Sequence, residues 1–214
     1  MKTMAKIVPA LLVRTVEEYN STLRKARQLT NRFHIDIIDG KYVDNQTISP
    51  RDIQKQIDNK MDMHLMVEDP VWYARECVSL NPHIVIVQYE SPGDVVGALE
   101  IITKNGFRAG ISINPETSVD TIKNILPSVS YVQIMGYPAG FAGTKFQKSV
   151  LEKVKQVRSL VPSMEIGLDG GVNDKTIGLI AKANFDVINV NSFLFDNPEM
   201  DYLSAYSALL GKVI

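Results

Sequence analysis

Apolar residues fall into short dense runs separated by longer stretches in which they recur every three or four positions. The runs are Lys6–Leu12, Phe33–Ile38, Met61–Val67, His83–Tyr89, Phe107–Ile113, Val129–Met135, Met164–Asp169 and Phe185–Val190. They have the length of strands, and several are rich in Ile and Val, as in parallel strands buried on both faces. The stretches between them predict helices. Thr15 precedes Glu17 and Glu18, a helix start with acid in its first turn. Asp69 and Pro70 open another, with proline in the first helical position. Lys148–Leu160 places Val150, Leu151, Val154, Val157 and Leu160 on one helical face. Asn173 and Asp174 begin a helix through Ile177, Ile180 and Ala181.

Eight strand signals alternate strictly with eight helix signals, which predicts parallel strands joined by crossover helices. An open doubly wound sheet has the same alternation. Eight repeats within 214 residues favour closure into a single (β/α)8 TIM barrel over residues 1–214, a fold that can manage with about 200. No linker or low-complexity stretch divides the chain. The longest loops, Gly40–Ser49 and Gly136–Lys145, both follow strands, on the side where barrels place their active sites.

Composition narrows the function. Apolar residues make up 45% of the chain, enough for a full core. A net charge of -1 without a basic stripe argues against nucleic acid as a partner. The apolar runs fall far short of the roughly 20 residues of a membrane span. The single cysteine, Cys77, has no internal disulfide partner. A cytoplasmic protein is expected.

The chain has three histidines, and two lie inside strands. His34 and Asp36 are two apart in one strand, so their side chains share a face. His64 and Met66 share a face of the next. Asp169 ends the seventh strand, just before Gly170 and Gly171. In a closed barrel these groups can converge near the carboxyl ends of the strands. Two imidazoles and two carboxylates suit one divalent ion: zinc, iron, manganese or cobalt. The competing reading is ordinary, with strand histidines as hydrogen-bonded core residues and the aspartate as a helix cap. His83 sits at a strand start, the wrong end, and reads as structural.

At these residues the sequence resembles the ribulose-phosphate 3-epimerase family, including its allulose-6-phosphate 3-epimerase branch. The matching stretches are residues 34–40 (HIDIIDG), 63–70 (MHLMVEDP), 114–117 (NPET), 140–146 (GFAGTKF) and 169–173 (DGGVN), in family order and spacing. The resemblance implies a metal held by His34, Asp36, His64 and Asp169, with Asp36 and Asp169 also the acid–base pair. One takes the proton from the carbon beside the ketone. The other returns a proton to the opposite face, through an enediolate that the metal stabilises. It also implies Met66 and Met135 as a cap over that intermediate, and a homo-oligomer. Phosphate is expected at Gly140, Phe141, Ala142, Gly143, Gly170, Gly171, Asn191 and Ser192, where glycines let backbone N–H groups approach closely.

The chain also departs from the family pattern. Val13 stands where a substrate-contacting serine is usual, Ile38 for a methionine, Lys41 and Gln88 for histidines. Residues 136–139 read Gly-Tyr-Pro-Ala, and Asn191 replaces a glycine. The ligand set is intact while its surroundings differ. That pattern favours a 3-epimerase of a ketose phosphate, by default D-ribulose 5-phosphate to D-xylulose 5-phosphate, with allulose 6-phosphate next. The rivals are a lysine-dependent phosphosugar aldolase or decarboxylase, with Lys41 or Lys145 as its lysine, and a non-catalytic phosphosugar-binding barrel.

Overall fold

The computed structural model describes residues 4–55, 58–140 and 145–213. Eight parallel strands close into a barrel in sequence order: β1 (Lys6–Leu11), β2 (Arg32–Ile38), β3 (Lys60–Met66), β4 (Ile84–Gln88), β5 (Arg108–Ile113), β6 (Tyr131–Met135), β7 (Glu165–Asp169) and β8 (Val187–Val190). β8 pairs with β1 through Lys6–Val187 to Pro9–Val190, which completes the ring. Every strand lies within two residues of the expected run.

The α-helices are α1 (Val16–Leu29), α2 (Pro70–Val78), α3 (Val95–Lys104), α4 (Leu151–Leu160), α5 (Ile177–Lys182), α6 (Ser192–Phe195) and α7 (Tyr202–Val213). Two of the expected starts carry their caps, while the helix expected from Asn173 and Asp174 begins only at Ile177, without a side-chain cap. The Thr15 side chain accepts from Glu18 N, and Asp69 accepts from Trp72 N ahead of Pro70. The alternation is less regular than the sequence suggests. Among the described residues, the β2–β3 and β5–β6 connections carry only 3-10 turns, at Pro50–Asp52, Val119–Ile122 and Leu126–Ser128. Prolines at 50, 115 and 127 and the β-branched run Val119, Thr121, Ile122 weaken a longer helix in both places. Among the described residues no helix is long and apolar enough to cross a membrane.

Strand alternation sorts side chains into two compartments. Phe33, Ile35, Ile37, Met61, Met63 and Leu65 pack outward with the helices in the main core. The inward positions form layers. At the base, Arg32 Nε donates to Asp62 Oδ2 at 2.7 Å and Arg32 Nη1 to Glu165 Oε1 at 2.9 Å. Arg108 Nη2 also donates to Glu165, at 2.7 Å, and Arg108 Nη1 lies 3.3 Å from His83 Nε2. His83 thus sits at the closed end, as expected, and burial beside Arg32 and Arg108 pushes its pKa down to about 4. Above the base comes an apolar layer of Val8, Ile84, Ile86, Tyr131 and Val187. The next layer is polar, and Ile38, Met66, Met135 and Ala139 roof it.

Gly167 is what admits Tyr131 to the interior, since a Cβ there would lie 1.7 Å from the phenol oxygen. Gly178 in α5 faces open space. Gly167→Ala is expected to destabilise the fold by about 1–3 kcal/mol through overpacking. Gly178→Ala is expected to stabilise it by about 0.5–1 kcal/mol, as alanine for glycine does inside a helix. Urea denaturation of the two variants measures the contrast.

Candidate active site

The polar layer gathers the candidate ligands. His34 and Asp36 project from β2, His64 from β3 and Asp169 from the end of β7, all buried. The register places Asp36 directly beside His64. His34 Nε2 lies 3.2 Å from Asp36 Oδ1 and 3.6 Å from Asp169 Oδ2. His64 Nδ1 lies 3.3 Å and 3.7 Å from the same two oxygens. One ligand atom from each residue lies within 4.8 Å of all the others. Ligands about 2.0–2.2 Å from one first-row cation stand roughly 2.8–3.6 Å apart, so this set fits a divalent ion in spacing and in chemistry.

Electrostatics point the same way. Burial alone would raise the Asp36 carboxyl, but hydrogen bonds and charge from His34 and His64 hold it well below the usual carboxylate range. Burial opposes charge on His64, yet Asp169 and Asp36 lift its pKa to about 9. The two carboxylates therefore draw positive charge into the cluster. Gln133 Nε2, however, lies 3.1 Å from His64 Nδ1, a contact that requires a lone pair there. The proton and this amide contact exclude each other and belong to alternative settings of the cluster.

Sequence reasoning recorded Gln88 only as a departure and passed over Gln133 and Asn189, although all three are polar residues at inward strand positions. Gln88 Oε1 lies 2.8 Å from His64 Nε2. Its Nε2 donates to Glu90, which also accepts from Asn114 N at 2.9 Å and from the Thr117 hydroxyl. Only the NH2 end of Gln88 can face that carboxylate. Its oxygen must then face His64, holding the proton on Nε2 and leaving Nδ1 for the cluster.

A cavity opens over the cluster, and Asp36, Asp169, Met66 and Met135 line it. So do Gly140, Gly170, Gly171, Asn191 and Ser192 from the expected phosphate region. Phe141, Ala142 and Gly143 lie outside the described residues. Gly170 and Gly171 have φ of 99° and 75°, and a Cβ at Gly171 would meet Phe146 at 2.7 Å, so both need glycine. Asn191 is tied to β1 by Nδ2 donating to Ala10 O at 2.8 Å.

Two further positions differ from expectation. Val13 packs in the outer core, and its neighbour Leu12 lines the cavity instead. Tyr137 is a wall residue that the sequence did not single out. Burial, then Asp169 and Asp36, hold its hydroxyl protonated far above neutral pH. Lys41 pairs with exposed Glu68 at 3.0 Å, and Lys145 is exposed. Neither lines the cavity, which removes the motivation for a lysine-dependent reading.

The sequence profile of the Ribulose-phosphate 3 epimerase family matches residues 6–195. The chain belongs to the ribulose-phosphate 3-epimerase family. It is thus an isomerase of the epimerase type. Among curated relatives, the ribulose-phosphate 3-epimerase of Helicobacter pylori is 32% identical over 203 residues, 91% of this chain and 92% of that protein. The Bacillus subtilis enzyme of the same name is 28% identical over 218 residues, 98% and 100% of the two chains. The fold is shared with KGPDC from Streptococcus mutans, at a TM-score of 0.75 and 12% identity over 99% of this chain and 98% of that one. It is shared as well with 3-hexulose-6-phosphate synthase from Salmonella typhimurium, at 0.70 and 13% over 97% and 100%.

In this epimerase the Gln88 amide orients an imidazole whose other nitrogen faces the cluster. Gln88→Leu is expected to weaken binding of a divalent cation by about 10–100-fold, the usual cost of losing such a partner. Calorimetric titration with Mn2+ checks it.

Proposed function

We propose that this chain is a divalent-metal-dependent 3-epimerase interconverting D-ribulose 5-phosphate and D-xylulose 5-phosphate. The observation that carries the reading is the meeting of Asp36 and Asp169, from non-adjacent strands, around two imidazoles beneath a single cavity. Inversion at a carbon beside a ketone needs a base on one face and an acid on the other. Two carboxylates anchored on β2 and β7 can meet the two faces of one bound carbon. The depressed Asp36 carboxyl is anionic, the form a base requires.

His34, Asp36, His64 and Asp169 would hold the cation, which supplies Lewis-acid polarisation of the ketone and compensates charge on the enediolate. Asp36 and Asp169 carry the two protons. Both share the cavity wall with Met66 and Met135, whose apolar surface excludes water from the reacting carbon. Gly140, Gly170, Gly171, Asn191 and Ser192 line the side of the cavity where the phosphate would sit, with φ-positive glycines giving its oxygens access to backbone N–H groups.

The test is isotope uptake. With Zn2+, Fe2+, Mn2+ or Co2+ in deuterated water, D-ribulose 5-phosphate is expected to gain deuterium at C3 as D-xylulose 5-phosphate forms. A chelator should stop both. Asp36→Asn and Asp169→Asn should each slow epimerisation by about 10²–10⁴-fold, the usual contribution of a positioned acid or base. Each variant should retain exchange from only one epimer. D-allulose 6-phosphate, run in parallel, tests the longer sugar. No label at C3 of any ketose phosphate with any of the four metals would refute the reading.

A further inference from the structure

The floor of the cluster is built from two buried side-chain amides, and hydrogen bonding couples their orientations. Gln133 projects inward from β6, two residues before Met135, and is fully buried. Its Nε2 lies 3.1 Å from His64 Nδ1 and 3.2 Å from Asp169 Oδ2. These separations are close to the four imidazole–carboxylate distances within the candidate ligand set, 3.2–3.7 Å. The end of the Gln133 side chain therefore stands beside two of the four candidate ligand atoms, one imidazole nitrogen and one carboxylate oxygen. At the other end of the group, Gln133 Oε1 accepts from Asn189 Nδ2 at 3.1 Å. Asn189 Nδ2 also lies 3.2 Å from His34 Nδ1, while Asn189 Oδ1 is buried without a hydrogen-bond partner.

These contacts define one self-consistent setting. Gln133 donates to the lone pair of His64 Nδ1 and to Asp169. Asn189 donates to Gln133 and to a lone pair on His34 Nδ1. His34 then carries its proton on Nε2, directed at Asp36. This setting gives an N–H group to three of the four atoms that a cation would claim, and the fourth, His34 Nε2, is itself a donor.

A cation at the centre reverses each requirement in turn. His34 Nε2 must offer a lone pair, so its proton resides on Nδ1; the imidazole changes tautomer without gaining or losing a proton. Nδ1–H needs an acceptor, and the atom beside it belongs to Asn189, so that amide turns over and presents Oδ1. Asn189 then no longer donates to Gln133 but accepts from it, and Gln133 turns over as well. Its Oε1 now faces His64 Nδ1 and Asp169 Oδ2. Three lone-pair-bearing atoms converging this closely repel one another unless a cation lies between them. An amide turned through 180° keeps its shape, so the change needs no rearrangement of the packed barrel.

We infer that Gln133 supplies an additional oxygen ligand to the metal, through a coupled reversal of the Gln133 and Asn189 amides that accompanies cation binding. The inference rests on the metal-centre reading above. The donor set becomes two imidazoles, two carboxylates and an amide oxygen, harder than the first four residues alone.

Co2+ added to the full-length chain tests this, because its visible bands are strong at low coordination number and weaken as ligands are added. The chain is expected to bind Co2+, and His64→Ala to lose that binding. Gln133→Leu should bind about 10–100-fold more weakly and show intensified bands. Gln133→Glu, with a carboxylate oxygen in place of the amide oxygen, should bind more tightly than the unaltered protein with bands no stronger. Melting in chelator verifies that each variant folds, and should Gln133→Leu fail to fold, Gln133→Glu decides. Unaltered affinity and spectrum in the folded variants would overturn the role of Gln133 while leaving the metal centre standing. Failure of the unaltered chain to bind Co2+ more tightly than His64→Ala would overturn both.

Discussion

Asp36 and Asp169 face each other's surroundings across His34 and His64 in a part of the barrel that holds almost no exposed surface. Two negative charges so close in a poorly polarisable interior are tolerable only with positive charge among them. That requirement organises the neighbouring layers. Beneath, amides from β6 and β8 donate to both imidazoles and to Asp169. Beside, Gln88 and Glu90 hold one imidazole in a fixed tautomer. Above, Met66, Met135 and Ile38 screen the group from water. Each layer makes sense as a response to the charges in the middle.

The polar layer is also joined to the mouth. Glu90 links Gln88 to the loop after β5 through Asn114 and Thr117. Lys153, on α4, reaches back to the carbonyls of Asn114 and Thr117 at 2.8 and 2.6 Å. Asn114 in turn accepts from Ala139 N at 2.8 Å, and Asn45 Nδ2 donates to Gly140 O at 2.6 Å. The loops after β2, β5 and β6 thus share one network with an inner imidazole, which is how loops lacking regular structure hold defined positions around a site.

Much of the fold was legible because parallel barrel strands are apolar on both faces, and such runs stand out in a sequence. The four clustered residues were legible for a related reason: a histidine or aspartate inside an apolar run is costly unless it has a partner. The helices after β2 and β5 were overcounted because apolar spacing there resembles a helix, while prolines and β-branched residues limit it to single turns. Gln88, Gln133 and Asn189 were harder. A neutral amide in a strand carries no charge to mark it, and its meaning depends on which neighbours closure of the barrel brings within reach. Val13 shows the converse, since matching it to a family position could not reveal that Leu12, one residue earlier, faces the ligand space.

The ion-paired base has a consequence of its own. Arg32, Asp62 and Glu165, with Tyr131 above them, stopper the lower end of the cylinder. The interior is then a vessel with one mouth. Substrate, product and displaced water then cross the same rim, in both directions. A departing sugar must therefore clear the opening before its successor can enter.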